Sequence, residues 1–352
     1  MAPHSRIPTH VITGFLGSGK SSLIRELIAQ KPEGERWAIL VNEFGQVGID
    51  QAMFEDKPEQ GRYEGEVHVE AMAGGCLCCQ LSIVLRATLI RLVTRYRPDR
   101  LIIEPSGLGH PSGLVEVLQD EHFSEVLELN DILALLDPRR LDDPRSRDHE
   151  TFRDQLALAD ALVITMGDLA TEEQRQYVDE WVARRWPAPR WVAWAEHGRL
   201  PISRLLEGAG RHDEGHSQAL PQPTSHRMAA AVETAPPMVF MEEAAPAPGK
   251  GISSHGSALG YITLGLRWHP SERFDLDRLS LYLSALPGEC RIKAVMHTDI
   301  GWRLYNRGTG PSTLAASSWR RDSRLEIIWP QETHLDPEEV TAGIEAQRLG
   351  RA

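Results

Sequence analysis

Cysteine is scarce in this sequence, and what little there is lies in one place. Four cysteines occur in 352 residues, and three of them crowd into positions 76–79. So few thiols, so arranged, exclude a disulfide scaffold and point to a reducing compartment. No apolar run approaches the ~18 residues of a membrane span. The opening Met-Ala-Pro-His-Ser-Arg leads directly into a strand pattern, without the charged and apolar regions of a signal peptide. The expected location is therefore the cytoplasm, with no membrane partner. Excess positive charge is also missing. The formal net charge is −12, which argues against a general nucleic-acid binder.

The most informative stretch is Thr-Gly-Phe-Leu-Gly-Ser-Gly-Lys-Ser at 13–21, a full match to the phosphate-binding pattern G-x-x-x-x-G-K-[ST]. Gly14 opens the loop, and Gly17 and Gly19 let the backbone curl close to phosphate. Lys20 would bridge the β- and γ-phosphates, and the Ser21 hydroxyl would hold Mg²⁺. Val11-Ile12 reads as a buried strand before the loop. Leu23, Ile24, Leu27 and Ile28 give the face of a helix after it, so a helix N-terminus meets the anion.

Short apolar runs at 10–13, 37–41, 67–71, 101–104, 132–136, 161–165 and 190–195 predict strands. Amphipathic stretches lie between them, the clearest at 81–93. The fold class is α/β: a P-loop domain at 1–206 whose mostly parallel sheet is covered by helices. Residues 207–256 are rich in proline and glycine and predict a flexible linker, with His197, His212, His216, His226 and His255 in or beside it. They read as scattered solvated histidines, a metal-gathering loop being the alternative. Residues 257–352 predict a small α+β domain, with strands near 259–267, 291–297, 301–306 and 324–329 and helices at 275–286 and 336–348. No chemistry is assigned to it, and its Cys290 reads as a buried apolar residue.

Four more constellations carry chemistry. Gly74-Gly75-Cys76-Leu77-Cys78-Cys79 puts three thiols at a helix start, where the thiolate form is favoured and soft ligands suit Zn²⁺ or Cu⁺. Packed core cysteines or a redox pair are the alternatives. Leu101-Ile-Ile-Glu104-Pro-Ser-Gly107 places an acid at a strand end for Mg²⁺ or its water, and a glycine N–H for the γ-phosphate. Asn42-Glu43-Phe44-Gly45 through Asp50 has the look of a switch segment. There Glu43 and Asp50 are either ligands of Mg²⁺, water or the thiol-bound metal, or solvated loop acids. Thr165-Met-Gly-Asp168 stands where Asn-Lys-x-Asp reads a guanine base. Asp168 would accept both N1–H and N2–H₂ of guanine, while Thr165 and Met166 depart from that pattern.

Together these pieces resemble the CobW-type P-loop GTPases, a family of metal chaperones that includes zinc chaperones. The likeness rests on Gly14–Ser22, Asn42–Asp50, the Gly-Gly-Cys-Leu-Cys-Cys run, Glu104-Pro-Ser-Gly-Leu and Gln155-Leu-x-x-Ala-Asp160. It covers nearly the whole chain except the linker, and the region 257–331 looks like the family's C-terminal domain. The resemblance implies that Gly17, Ser18, Gly19, Lys20, Ser21 and Ser22 bind phosphate and that Glu104 belongs to the magnesium site. It implies that Gly107, Thr165 and Asp168 contact the nucleotide and that Cys76, Cys78 and Cys79 hold the metal. Lys20 and Glu104 are then the residues expected to carry GTP hydrolysis. Zinc or another transition metal would pass to a client metalloprotein, with homo-oligomerisation left open. Assistance to cobalt or iron insertion is one alternative. A small-molecule kinase with a structural metal is another, in which Arg139, Arg140, Arg145 and Arg147 would form a lid.

Overall fold

The computed structural model describes residues 6–43, 66–73, 81–109, 111–185, 187–206, 246–258, 260–308, 311–317 and 319–350. Among them, seven strands form the first sheet: β1 (Ile7–Gly14), β2 (Trp37–Glu43), β3 (Val67–Ala73), β4 (Arg100–Glu104), β5 (Leu127–Leu136), β6 (Ala161–Ile164) and β7 (Trp191–Trp194). Their order is β3-β2-β4-β1-β5-β6-β7, and every pairing is parallel. The apolar runs are continuous because both faces are buried. Val11, Leu40, Leu101 and Ile103 pack on one face under α2 (Leu81–Arg91) and α3 (Ser112–Leu118). Ile12, Ile39, Val41 and Ile102 pack on the other, against Leu23, Ile24 and Leu27 of α1 (Lys20–Ala29). Toward the β7 edge, α4 (Glu150–Ala157) adds Phe152 and Leu156 to a cluster that also holds Leu162 and Ile164. The helix α5 (Glu172–Ala183) follows β6 and starts at a reciprocal cap between Thr171 and Gln174.

The second sheet is antiparallel and holds β8 (Ile252–Ala258), β9 (Tyr261–Trp268), β10 (Arg291–Thr298), β11 (Gly301–Arg307), β12 (Thr313–Ala316) and β13 (Ser323–Pro330). Their order is β12-β11-β10-β13-β9-β8. Helices α6 (Leu276–Ala285) and α7 (Pro337–Glu345) cover one face, where Leu279, Leu283, Val340 and Ile344 meet Leu266, Ile292, Ala294 and Ile327.

The architecture is the α/β domain plus α+β domain that the sequence predicts, with local corrections. The expected linker ran to residue 256, but Ile252–Ala258 is a strand paired with β9. Its Ile-Ser-Ser-His-Gly-Ser-Ala is an edge strand, exposed along much of its length, and lacks the apolar alternation that would mark it. Of the rest of that span, 207–245 lies outside the described residues. Strand β5 begins five residues before the expected 132, because Asn130 and Asp131 interrupt its apolar run. Asp131 is nonetheless buried, where it accepts from Arg190 at 2.6 Å and from Trp191 Nε1 at 3.0 Å. Helix α2 gives way after Arg91 to a π-helical turn at Leu92–Tyr96.

Candidate functional site

The phosphate loop leaves β1 at Gly14 and enters α1 at Lys20. Gly14 has φ +145°, and a Cβ there would stand 2.9 Å from the Leu135 carbonyl oxygen, so only glycine fits. Lys20 is buried at 5 % exposure, and its Nζ donates to the carbonyls of Gly14 at 2.7 Å and Phe15 at 3.4 Å. These bonds curl the loop around its own lysine. Burial pulls the Lys20 pKa down; Glu104 works against that shift, while Arg291 and Lys293 add to it.

Ser21 Oγ donates to Glu104 Oε1 at 3.1 Å, joining the first turn of α1 to the end of β4. Burial pushes the Glu104 carboxyl above the usual range, against the pull of Lys20 and the Ser21 hydroxyl. Glu104 Oε2, Ser18 Oγ and both amide atoms of Asn42 are buried without a hydrogen-bond partner among the described residues. A hydroxyl, a carboxylate and spare buried polar atoms beside a phosphate loop are the oxygen-rich donor set that Mg²⁺ takes, so the residues fit that ion. Gly107 closes the far side: a Cβ there would lie 3.1 Å from both Leu16 N and Lys20 Nζ. Buried Gln155 donates to the carbonyls of Gly107 at 3.2 Å and Gly109 at 3.1 Å, and so fixes that segment. Gly17 and Ser22 lie in the loop and on α1, both half-buried.

Thr165 and Asp168 part company. Thr165 Oγ1 donates to the Ser18 carbonyl at 2.8 Å, so its hydroxyl holds the phosphate loop. Met166 takes a left-handed φ of 55°, and a Cβ on Gly19 would stand 3.4 Å from its Cε. Asp168, in the turn Gly167–Leu169, faces a cleft of about 460 Å³ lined by Arg175, Trp194, Glu196 and His197. Arg175 donates to the Gly167 carbonyl at 2.6 Å and its guanidinium lies 5.5 Å from the Trp194 ring. His197 Nδ1 stands 3.8 Å from the Asp168 carboxylate. The sequence did not single out these cleft residues as neighbours of Asp168, because they come from α5, the end of β7 and the segment after it, and carry no motif.

The segment expected to act as a switch is described only at its start. Asn42 is buried in β2, Glu43 closes that strand, and Asp50 lies outside the described residues. Cys76, Cys78 and Cys79 lie outside them too. The strand register brings their flanks close: Val41 pairs with Glu104, and Glu43 with Ala73, three residues before Cys76. Among the described residues no three of His, Cys, Asp and Glu gather to hold a metal, so His197 and His255 form no such site there. Cys290 is buried, and burial lifts its thiol to about 11, as suits an inert core residue.

Of the arginines of the lid alternative, Arg140 reaches the phosphate loop, donating to the Leu16 carbonyl at 3.4 Å, and the others pair away from it. Arg139 pairs with Asp137 at 2.6 Å and Arg147 with Asp148 at 3.3 Å. Arg140 donates to Ser146 Oγ at 3.1 Å, and Arg145 crosses to Glu289 of the second domain at 3.1 Å. That domain also reaches the phosphate loop, which the sequence reading missed. Ile328 packs with Phe15, Leu16 and Leu108. Lys293 Nζ donates to Ser21 Oγ at 3.3 Å, while Arg291 and Glu326 line a cavity of about 10 Å³ shared with Lys20, Asn42, Glu104 and Gly107. The available signal was a charge at alternate positions of otherwise apolar strands, in Arg-Ile-Lys-Ala-Val and Leu-Glu-Ile-Ile.

Residues 8–191 match the family described as CobW/HypB/UreG, nucleotide-binding domain. The chain is 32% identical over 329 residues to the zinc chaperone YeiR of Escherichia coli strain K12, covering 92% of this chain and 93% of that one. It is 33% identical over 114 residues to the zinc-regulated GTPase metalloprotein activator 1 of Schizosaccharomyces pombe, covering 31% of this chain and 26% of that one. The crystal structure of the Zn(II)-bound YjiA GTPase from E. coli superposes with a TM-score of 0.44 at 20% identity, covering 98% of this chain and 100% of that one.

Proposed function

This chain belongs to the CobW/HypB/UreG family, and from that premise we propose a magnesium-dependent GTPase that carries a transition metal, zinc, to a client metalloprotein in the cytoplasm. The observation that carries the nucleotide half is the buried Ser21–Glu104 pair beside Lys20, at the end of the parallel strands where ligands of such sheets bind. Bound Mg²⁺ would neutralise phosphate charge and orient the β- and γ-phosphates. Ser21 and Glu104 would hold it. Lys20 offers its full charge to the phosphates from within the loop, and Gly107 leaves its backbone free to approach the terminal phosphate. Gln155 and Thr165 keep that loop and the Gly107 segment in place. Asp168 accepts the guanine N1–H and N2–H₂ at the mouth of the open cleft.

The metal half rests on the relatives' names and on three thiols. Cys76, Cys78 and Cys79 present soft thiolates that suit Zn²⁺. Their segment follows β3, whose last residue Ala73 pairs with Glu43 of the switch strand. A metal there would sense the nucleotide through the switch, and linkage makes the effect reciprocal. The test is competition against a zinc chelator in the GTP, GDP and nucleotide-free forms, alongside phosphate release. About one zinc per chain is expected, with an affinity that differs between GTP and GDP forms by ~5–150-fold. Cys78→Ser should lose the zinc and keep the nucleotide. Equal zinc affinity in all three forms would reduce the thiols to a structural or redox role.

A further inference from the structure

The C-terminal sheet turns its charged face toward the phosphate loop. In the antiparallel register Arg291 pairs with Ile328 and Lys293 with Glu326, so these four side chains share one face. Their neighbours Ile292, Ala294, Leu325 and Ile327 point the other way, into the core under α6 and α7. Ile328 is the anchor, buried against Phe15, Leu16 and Leu108. Lys293 is 4 % exposed, with its Nζ 3.3 Å from the Ser21 hydroxyl oxygen. Arg291 and Glu326 line the cavity that Lys20, Glu104 and Gly107 also line.

Among the described residues, Lys20, Arg291 and Lys293 thus converge on one place, against the carboxylates of Glu104 and Glu326, three cations to two acids. Like charges drawn out of water repel strongly. Both second-domain cations make the Lys20 ammonium harder to keep protonated. A folding core gains nothing from this, whereas a multiply charged anion removes the repulsion.

We propose that Arg291 and Lys293 are further nucleotide-binding residues, which face the terminal phosphate of a bound nucleoside triphosphate and make the docking of the C-terminal sheet depend on that phosphate. This rests on the reading above that the loop at 14–22 binds GTP. A diphosphate lacks the group these side chains meet, so they contribute to GTP affinity and little to GDP affinity. By linkage, the sheet docks on the loop more tightly in the triphosphate state by the same factor.

The experiment measures binding of GDP and of a non-hydrolysable GTP analogue, with Mg²⁺, to the full chain and to Arg291→Ala and Lys293→Gln. Each variant should lose about 10- to 100-fold in analogue affinity, the size of one charge-assisted hydrogen bond, with GDP affinity changed less than about threefold. Arg291→Lys should recover part of the loss. A melting curve without nucleotide reports the fold. Arg291 is only half-buried, so its variant carries the test if Lys293→Gln unfolds early. An unchanged ratio of analogue to GDP affinity, or an equal loss of both, overturns the proposal. So does tighter analogue binding, which would make the two cations competitors of Mg²⁺. A wild-type chain that binds neither nucleotide instead removes the GTPase reading itself.

Discussion

The two ends of the nucleotide site are built on opposite principles. At the phosphate end Lys20, Ser21 and Glu104 are all buried, and the cavity beside them measures about 10 Å³. At the end proposed for the base, Asp168 keeps 40 % of its side chain exposed, in a cleft of about 460 Å³. The buried end works with ionisable groups drawn out of water, where each contact is strong and its loss severe. On the proposed reading the open end works in solvent, where a carboxylate would discriminate between bases without holding them tightly. Chemistry should therefore be lost at one end and selectivity at the other.

The sharpest way to break that contrast is Lys20→Ala. It removes the ammonium that the loop encloses and should lower kcat by about 10²–10³-fold, read as phosphate release at saturating Mg²⁺. Unchanged release would mean that the buried end is structural only. A smaller effect is expected from Asp168→Asn. It should reduce the preference for GTP over ATP by about 10- to 100-fold, the cost of one or two good hydrogen bonds, and leave kcat with GTP within tenfold. Competition binding with ATP measures it, and a wild-type chain that binds both equally would place Asp168 away from the base.

The smallest effect concerns a buried histidine. His10, in β1 below the phosphate loop, is 1 % exposed and accepts from Arg100 at 2.7 Å, and burial with that neighbouring charge lowers its pKa from 6.5 to about 3. The unfolded chain then takes up a proton below pH 6.5 that the folded chain refuses until about pH 3. This stability is present above pH 6.5 and drains away as pH falls toward 3, at up to ~1.4 kcal/mol per unit. Urea melts of His10→Gln between pH 6.5 and 4.5 should show a shallower decline than the wild type.

The buried end was also the legible end. A phosphate loop needs glycines and a lysine at fixed spacing because the backbone itself is the binding surface, so Gly14–Ser21 announced its geometry in one dimension. The sheet that carries it was legible for a related reason: strands buried on both faces must be apolar throughout. Arg175, Trp194 and His197 meet only after three elements fold together, and nothing in their local sequence demands it. Thr165 reads as a base contact in sequence, and the bond of its hydroxyl to the Ser18 carbonyl had no local signal. The docking of β10 and β13 on the loop was hidden for another reason. A face-to-face contact between domains leaves only the alternation of charge in two strands, and the same alternation marks any half-exposed sheet.

The bond from Thr165 to the Ser18 carbonyl has a consequence for timing. It uses protein atoms alone and ties a strand end in the sheet to a glycine-rich turn, the kind of segment that loses most freedom when it is fixed. The turn's disorder is therefore surrendered when the chain folds, not when a ligand arrives. A receptor whose walls already stand spends little of each encounter on arranging itself, and its selectivity can then rest on how long a visitor stays.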